Sequence, residues 1–433
     1  MNKSLWVETV TLPKFKSLER DENTDVLVIG GGMAGILCAK FLSDAGIDYI
    51  LCESDRIGSG TTSRTTAVIS AQHDTLYIDM IKKFGVKKAK MYLKSNLNAV
   101  SKYREICRNI DCDFEDKPSY MYSRTNANTL MDEVKAVNAL GFQAKLVTSL
   151  PLPEKITTAV KYPDQAQFHP LKFISEISKN LNIREKTQIK KIDNTTAYTD
   201  KFKIKANKII VASHFPIMNT HGLYFAKLYQ MRSYVIALEN AAQYDGTFVG
   251  NGEGDLYFRN YKNLLLVGGG DHRTGKNGGG YNMLRSFAKR NFPEAKEKYA
   301  WATQDCMSLD GVPYIGRYSQ STENVFVISG FNEWGMTSSM VAAEILTDMI
   351  MGRKNKFAEV YDPSRSMLNS QLFANIGVTL ADFVIPSTKR CPHLGCTLKW
   401  NPAEHSWDCP CHGSRFDDKG HLINNPATGD LKL

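Results

Sequence analysis

Apolar and polar positions change rhythm several times along the chain. After a polar opening over 1–24, "DVLVI" (Asp25–Ile29) is a short apolar run rich in β-branched residues, which predicts a buried strand. Met33–Leu42 then predicts a helix packed on a sheet and stopped near Gly46, and Asp48–Cys52 predicts the next strand. Thr75–Asn109 is Lys-rich with apolar residues at helical spacing, the mark of a helix with one solvated face. Ser119–Ser123 predicts a strand and Thr129–Leu140 a helix. Phe168–Leu181 predicts a helix begun at Pro170. Lys205–Ser213 ends a set of short strands, and Gln230–Glu239 with Leu264–Gly275 predict strands of a separate sheet. Val325–Ser329 predicts another buried strand, followed by an apolar helix over Met336–Met351. Beyond it, "TLKWNPAEHSWDCP" predicts a hairpin around its Asn-Pro turn, and "GSRFDDKGHLINNPATGDLKL" one more short strand and a Pro-containing loop.

These elements predict a mixed α/β (α+β) protein with a small all-β module at its end. The 433 residues allow more than one domain, and 42% hydrophobic with 23% charged residues is ordinary for a globular protein. The formal charge of +9 is read first as a Lys-rich solvated surface, with an acidic redox partner or an anionic membrane surface as alternatives. No block of like charge points to nucleic acid. No stretch fits a signal peptide or a membrane span, so a cytoplasmic location is expected. Cys38, Cys52, Cys107, Cys112 and Cys306 show no paired spacing and are expected to be buried, idle thiols.

Gly30, Gly32 and Gly35 form G-x-G-x-x-G between the first strand and the first long helix, and Glu53 ends the next strand. Glycines there permit a tight turn and close backbone approach to a pyrophosphate, whose charge meets the helix N-terminus. An acid at the end of the second strand is placed to accept from a ribose hydroxyl. "GSGTTSRTTAVISAQHD" (Gly58–Asp74) adds small hydroxyl residues, including Thr61, Thr62 and Ser63, as donors without bulk.

The glycine fingerprint with "GTTSRTT" resembles the FAD-dependent D-amino-acid oxidase and glycine oxidase superfamily. A later segment strengthens the resemblance: a P-x-I-G turn (Pro313, Ile315, Gly316), a loop flanked by Gly330 and Gly335, and a helix opening with Met336 and Thr337. The resemblance implies a Rossmann-like FAD-binding domain interleaved with a β-sheet substrate domain. It implies FAD contacts at Gly30, Gly32, Gly35, Glu53, Thr61, Thr62, Ser63, Gly330, Gly335, Met336 and Thr337. One departure matters. Amino-acid oxidases of this superfamily carry an Arg shortly before the Asp of their D-x-x-P segment, and Asp305 stands in its place. A carboxylate cannot form the bidentate pair that grips a substrate carboxylate. An amine or alcohol substrate therefore gains ground over an amino acid. Arg232, His272, Arg273 and Trp334 are the candidates for the substrate side, and no catalytic base stands out.

Near the end, "CPHLGC" (Cys391–Cys396) and "CPCHGS" (Cys409–Ser414) place four cysteines and two histidines in two boxes. Zinc is one reading of such a set, but its usual paired spacings are missing. C-x-H followed by C-x-x-H resembles a Rieske [2Fe-2S] centre, in which one iron has two Cys ligands and the other two His. By that resemblance Cys391 and Cys409 hold one iron and His393 and His412 the other. Cys396 and Cys411 match the extra cysteines that form a disulfide between the loops in one Rieske subclass. Ser414 suits a hydroxyl donated to a cluster sulfur. Phe416 stands where quinol-oxidising members have a Tyr, which implies a lower potential than theirs.

The expected organisation is an N-terminal extension (1–24), an FAD-dependent oxidoreductase (25–365), a linker (366–385) and a short Rieske module (386–433). Within the second, 25–75, 150–215 and 305–352 are assigned to FAD binding, and 76–149 and 216–304 to the substrate side. The cluster module has too little chain for a full base sheet, so it is expected to lean on the FAD domain. The expected function is oxidation of a small amine, amino acid or hydroxy acid, with electrons passed to the cluster and on to an external carrier or partner protein, with peripheral membrane contact possible. Two rivals are a non-enzymatic electron-transfer or redox-sensing protein and an oxygen-using oxidase with the tail as scaffold.

Overall fold

The computed structural model describes residues 3–431 apart from 219, 220, 279, 369 and 386. The first two positions of the predicted extension, one linker position (369) and positions 386, 432 and 433 of the short module lie outside the described residues.

An eight-stranded sheet forms the first layer. Glu22–Ile29 is central, flanked in parallel by Lys203–Val211 and Tyr49–Cys52, with Val325–Ser329 parallel beyond Lys203–Val211. The central strand is buried from Val26 to Ile29, as expected of parallel strands covered on both faces. Helices Met33–Asp44 and Gly335–Ile350 pack on each other over this sheet. Both are mostly buried, which explains their apolar sequences. Gly35 permits the first of these helices to lie close on the end of the central strand, because a Cβ there would fall on the Gly30 carbonyl oxygen.

The second layer is a nine-stranded sheet, ordered from Lys296–Ser308 through Leu228–Glu239 and Leu264–Arg273 to Glu115–Ser123 and Thr158–Gln167. Thr158–Gln167 corrects one assignment. Residues 150–215 were expected with the FAD portion, yet this strand pairs antiparallel with Glu115–Ser123. Pro163 and a left-handed Asp164 (φ 56°) interrupt its alternation, which hides it in the sequence. The N-terminal extension is docked, with Leu5 and Trp6 fully buried.

A four-stranded antiparallel sheet ends the chain: Lys399–Asn401, Ser406–Asp408, Arg415–Asp417 and Leu422–Asn424. The presumed linker contains a helix, Ser370–Val384. Among the described residues no helix is long and apolar enough to cross a membrane.

Candidate functional site: two facing redox sites

A cavity of about 930 Å³ opens at the carboxyl end of the central strand. Gly30, Gly32, Glu53, Thr61, Thr62, Gly330, Gly335 and Met336 line it, as does Trp334. Gly30 has φ +113°, and a Cβ there would lie 2.5 Å from the Ala212 carbonyl oxygen. That position tolerates only glycine, so the turn can follow a ligand closely. The N-termini of Met33–Asp44 and Gly335–Ile350 both meet the cavity through Met33 and Gly335, bringing partial positive charge. Thr62 Oγ1 accepts from the Met33 N–H at 3.0 Å, and Glu53 accepts from the Gly31 and Asp55 N–H groups at 2.7 and 2.8 Å. Burial raises the Glu53 pKa against those bonds. A bare glycine turn, two helix N-termini and a fixed acid fit the pyrophosphate and ribose of FAD.

Three expected FAD contacts lie outside the cavity lining. Gly35 serves helix–strand packing, the Ser63 hydroxyl turns back onto Ser59 and Gly60 carbonyls, and the Thr337 hydroxyl bonds the Ser70 carbonyl at 3.1 Å.

The substrate-side expectations need more correction. Arg232, His272 and Arg273 do not line the cavity. The Arg232 guanidinium pairs with Glu404 of the C-terminal hairpin, their side chains being 1% and 5% exposed. Arg273 donates to the Pro410 and Cys411 carbonyls at 2.9 and 3.1 Å. His272 stacks on Tyr234 and bonds the Gly270 carbonyl at 3.0 Å. Both arginines are spent on docking the tail, because their strands face it. Trp334 stacks on His73, 5.0 Å between centroids, and donates to Asp74 at 3.1 Å.

The cavity instead gathers carboxylates: Asp74, Asp305 and Glu333 line it, and Asp271 interacts with them. Left-handed backbone at Asn332 and Glu333 (φ 51° and 72°) turns the Gly330–Gly335 loop. Enclosure by the cavity walls and mutual repulsion push Asp305 up to about 7 and Asp271 up to about 6, and raise Glu333, although Asp271 and Glu333 keep exposed surface. Arg259, which lines the cavity from the same sheet, donates to the Thr66 and Ala67 carbonyls.

The two tail boxes fold alike. Cys391 N–H donates to Cys396 O (2.8 Å) and Gly395 N–H to Cys391 O (2.9 Å); Cys409 N–H donates to Ser414 O and Gly413 N–H to Cys409 O, both at 2.9 Å. Gly395 and Gly413 occupy the same left-handed position, φ +81° and +84°. The repeated turn sets Cys391 against Cys409 and brings the His393 and His412 rings to 4.9 Å between centroids. Cys396 and Cys411 form a disulfide.

Contact between the two thiols lowers Cys391 to about 7 and raises Cys409, so one thiolate forms readily and the second proton must be displaced by iron, while burial lowers His393 to about 4 and His412 to about 3. Neutral imidazoles and an accessible thiolate are what iron ligation needs. Neither ring nitrogen of buried His412 has a well-formed hydrogen bond, although the Phe225 backbone lies near. These observations fit a [2Fe-2S] cluster.

The sites share a wall. Along Lys296–Ser308, Thr303 and Asp305 line the cavity, whereas Gln304 between them donates to the Gly413 carbonyl at 2.8 Å. On the neighbouring strand Ser233 lines the cavity, whereas Gln230 donates to the His412 carbonyl at 2.7 Å. Alternation along a strand thus points successive residues at opposite sites. At one edge the wall is thinner still. Ser213 and His214 line the cavity, and the next residue, Phe215, meets the His393 and His412 rings at 6.3 Å. Asn425 Nδ2 donates to the Ser213 and Phe215 carbonyls, and Leu422–Asp430 close the cavity itself. Nothing local in the sequence announces Phe215 or this closing loop, because their roles arise from contacts between distant segments.

A family model described as FAD dependent oxidoreductase matches residues 25–349, and one described as Rieske [2Fe-2S] domain matches 382–433. A protein of Bacillus subtilis (strain 168) named as Rieske 2Fe-2S iron-sulfur protein YhfW is 33% identical across 99% of this chain and 96% of its own. Cytochrome b6-f complex iron-sulfur subunit 2 of Trichormus variabilis is 54% identical over 43 residues, 10% of this chain and 24% of that one. Glycine oxidase from Geobacillus kaustophilus superposes with a TM-score of 0.67 at 16% identity, over 80% of this chain and 100% of that one, a likeness of fold. The chain therefore belongs to the FAD dependent oxidoreductase family and carries a Rieske [2Fe-2S] domain at its C-terminal end.

Proposed function

We propose that the protein oxidises a small amine, with amino acids and hydroxy acids as less favoured substrates, and passes the electrons through the Rieske domain to an external acceptor. The observation that carries this reading is the shared wall: successive residues of one strand, Gln304 and Asp305, serve the cluster loop and the cavity. When bound, FAD supplies a two-electron hydride acceptor and the cluster a one-electron carrier.

The chain's own residues do the rest. The Gly30 turn and both helix N-termini seat the dinucleotide, and Glu53 has carboxylate lone pairs left for a ribose hydroxyl. Asp74, Asp305 and Glu333 favour a substrate ammonium over a carboxylate, which they would repel. Trp334 walls the cavity beside them. Cys391 and Cys409 hold one iron, and His393 and His412 the other. Phe215, packed on both imidazoles, excludes water from the thinnest part of the wall.

The test is anaerobic titration of purified holoprotein with small amines, amino acids and hydroxy acids, followed by visible absorbance and paramagnetic resonance. An amine is expected to bleach the flavin and raise the signal of the reduced cluster. A bleached flavin with a cluster that stays oxidised would refute internal transfer. Failure of every donor, with reduction by a protein partner, would favour the second reading, electron transfer or redox sensing without turnover. The +9 charge and the Asp305 replacement speak for that reading.

A further inference from the structure

Helix Ser370–Val384 is built inside out. Its buried positions include Asn375 and Asp382, 3% and 2% exposed. Asn375 accepts from Arg273 at 2.9 Å, and Asp382 lies 4.0 Å from Lys276. Its exposed large residues are Phe373, Ile376, Leu380 and Phe383, at 67, 43, 63 and 46%, and Leu368 just before it is 78% exposed. Spacings of three, four and three put all four on one stripe. Ala374, Gly377 and Ala381 complete an outward surface without a single charge. Scattered exposed apolar residues need no cause, but a continuous stripe of this kind marks a surface made to be covered.

We propose that this stripe docks the protein on an anionic lipid bilayer. The charges around it identify the occupant. Over 366–399 the sole acid is Asp382, which is buried, while Lys389, Arg390 and Lys399 are all basic. Arg390 is exposed and its guanidinium caps the helix end by donating to the Phe383 carbonyl at 3.4 Å. Lys276 remains half-exposed beside the helix. An apolar face rimmed by cations suits a headgroup boundary that carries negative charge. A second copy of the chain would set this rim against itself, since a two-fold contact pairs like with like.

The surface joins the cluster site. Phe383 lies against Gly395 of the first box, where a Cβ would be 3.5 Å from its ring, and Arg390 also donates to the Gly395 carbonyl at 2.9 Å. Docking therefore brings the first cluster loop to the bilayer. What that serves, delivery of electrons to an acceptor dissolved in lipid, rests on the proposed function, whereas the docking itself does not.

The test is flotation of the holoprotein with vesicles of phosphatidylcholine containing phosphatidylglycerol. Binding is expected, weaker at high salt and on phosphatidylcholine alone. F373S/L380S is expected to lower binding by about a hundredfold, each lost apolar anchor being worth about tenfold. It should keep its flavin and cluster absorbance and its reduction by substrate, because both positions face outward. As an independent readout, tryptophan emission of F373W is expected to shift to the blue with vesicles. Three results would overturn the proposal: no binding by the wild-type protein, equal binding by F373S/L380S, or a lipid-free dimer that F373S/L380S dissociates. Loss of substrate reduction with intact vesicle binding would instead count against the proposed function alone.

Discussion

Glu404 offers the sharpest test of how the Rieske domain is held. Its carboxylate, 5% exposed, sits between Arg232 of the nine-stranded sheet (1%) and Arg415 of its own module (0%). Asp408 is the second anion of the group, 2.9 Å from the Arg415 Nε. The nearby Arg64 guanidinium adds a third cation, so the two carboxylates are already outnumbered. Glu404→Gln leaves these cations facing Asp408 alone, and Arg232 keeps no carboxylate of its own. Removing one partner of a buried pair costs about 3–5 kcal/mol. Asp408 still offsets part of the excess, so the lower end, about 3 kcal/mol, is expected. That is about two decades in the equilibrium between docked and undocked module. Denaturant unfolding should be followed separately through cluster and flavin absorbance. The cluster signal of E404Q is expected to fall at clearly lower denaturant than in the wild type, ahead of the flavin. Arg232→Met with Glu404→Leu removes both charges, leaves Arg415 with Asp408, and is expected to recover most of the loss. If E404Q unfolds within about 0.5 kcal/mol of the wild type, the range of an ordinary surface change, the ion group does not hold the interface.

Three further outcomes follow from the sites. Asp305 is pushed up to about 7 and Asp271 up to about 6, so these two carboxyls are largely neutral at pH 5 and gain charge as pH rises through this range. For a cationic amine, kcat/KM should rise over the same interval, and Asp305→Asn should lower its plateau and move the remaining limb; a flat profile would remove the carboxylates from substrate binding. The Cys396–Cys411 disulfide spans a separation of 15 residues, worth about 3 kcal/mol by loop closure, so C396S/C411S should lose its cluster at lower temperature while the flavin is retained. Ser414 Oγ accepts from the Ala427 N–H at 3.0 Å and lies in hydrogen-bonding reach of Cys391, so its proton is free for that sulfur. Ser414→Ala should lower the cluster potential and Phe416→Tyr raise it in a redox titration, and no change in either would refute the bonding scheme.

The parts legible in the sequence are those whose chemistry is local. The Gly30 turn announces itself because strand, glycines and helix must follow one another within a few residues. The tail boxes do so because ligands on a short loop need fixed spacing. What depends on distant partners stayed hidden. Arg232 has its partner 172 residues away, and a cation of this kind reads equally as substrate anchor or as interface ion. Ser370–Val384 carries helical periodicity, yet its polar face is the buried one, so the usual inference from amphipathicity points its faces the wrong way. The acidic cavity was visible only as the Asp305 replacement, because Asp74 and Glu333 come from segments far apart.

The short Rieske module explains why its interface has this form. Its buried apolar cluster comprises Cys391, Cys396, Leu398, Cys409, Cys411, Phe416, Ala427 and Leu431. Half of these are cysteines, so little apolar core remains to fix two loops at the precision a cluster requires. The nine-stranded sheet supplies what the module lacks. Gln230, Gln304 and Arg273 donate to the carbonyls of His412, Gly413, Pro410 and Cys411, which fixes nearly the whole second box by its backbone. Gly413 allows the approach, since a Cβ there would lie 2.7 Å from Gln230 Cβ. The same strands present Ser233, Thr303 and Asp305 to the cavity. A one-residue register slip on either strand would exchange the two faces, removing the loop's donors and the cavity's carboxylate together. The separation of the two redox sites is thus set by strand register rather than by a flexible linker, and loosening the interface should slow electron transfer without altering how substrate is bound.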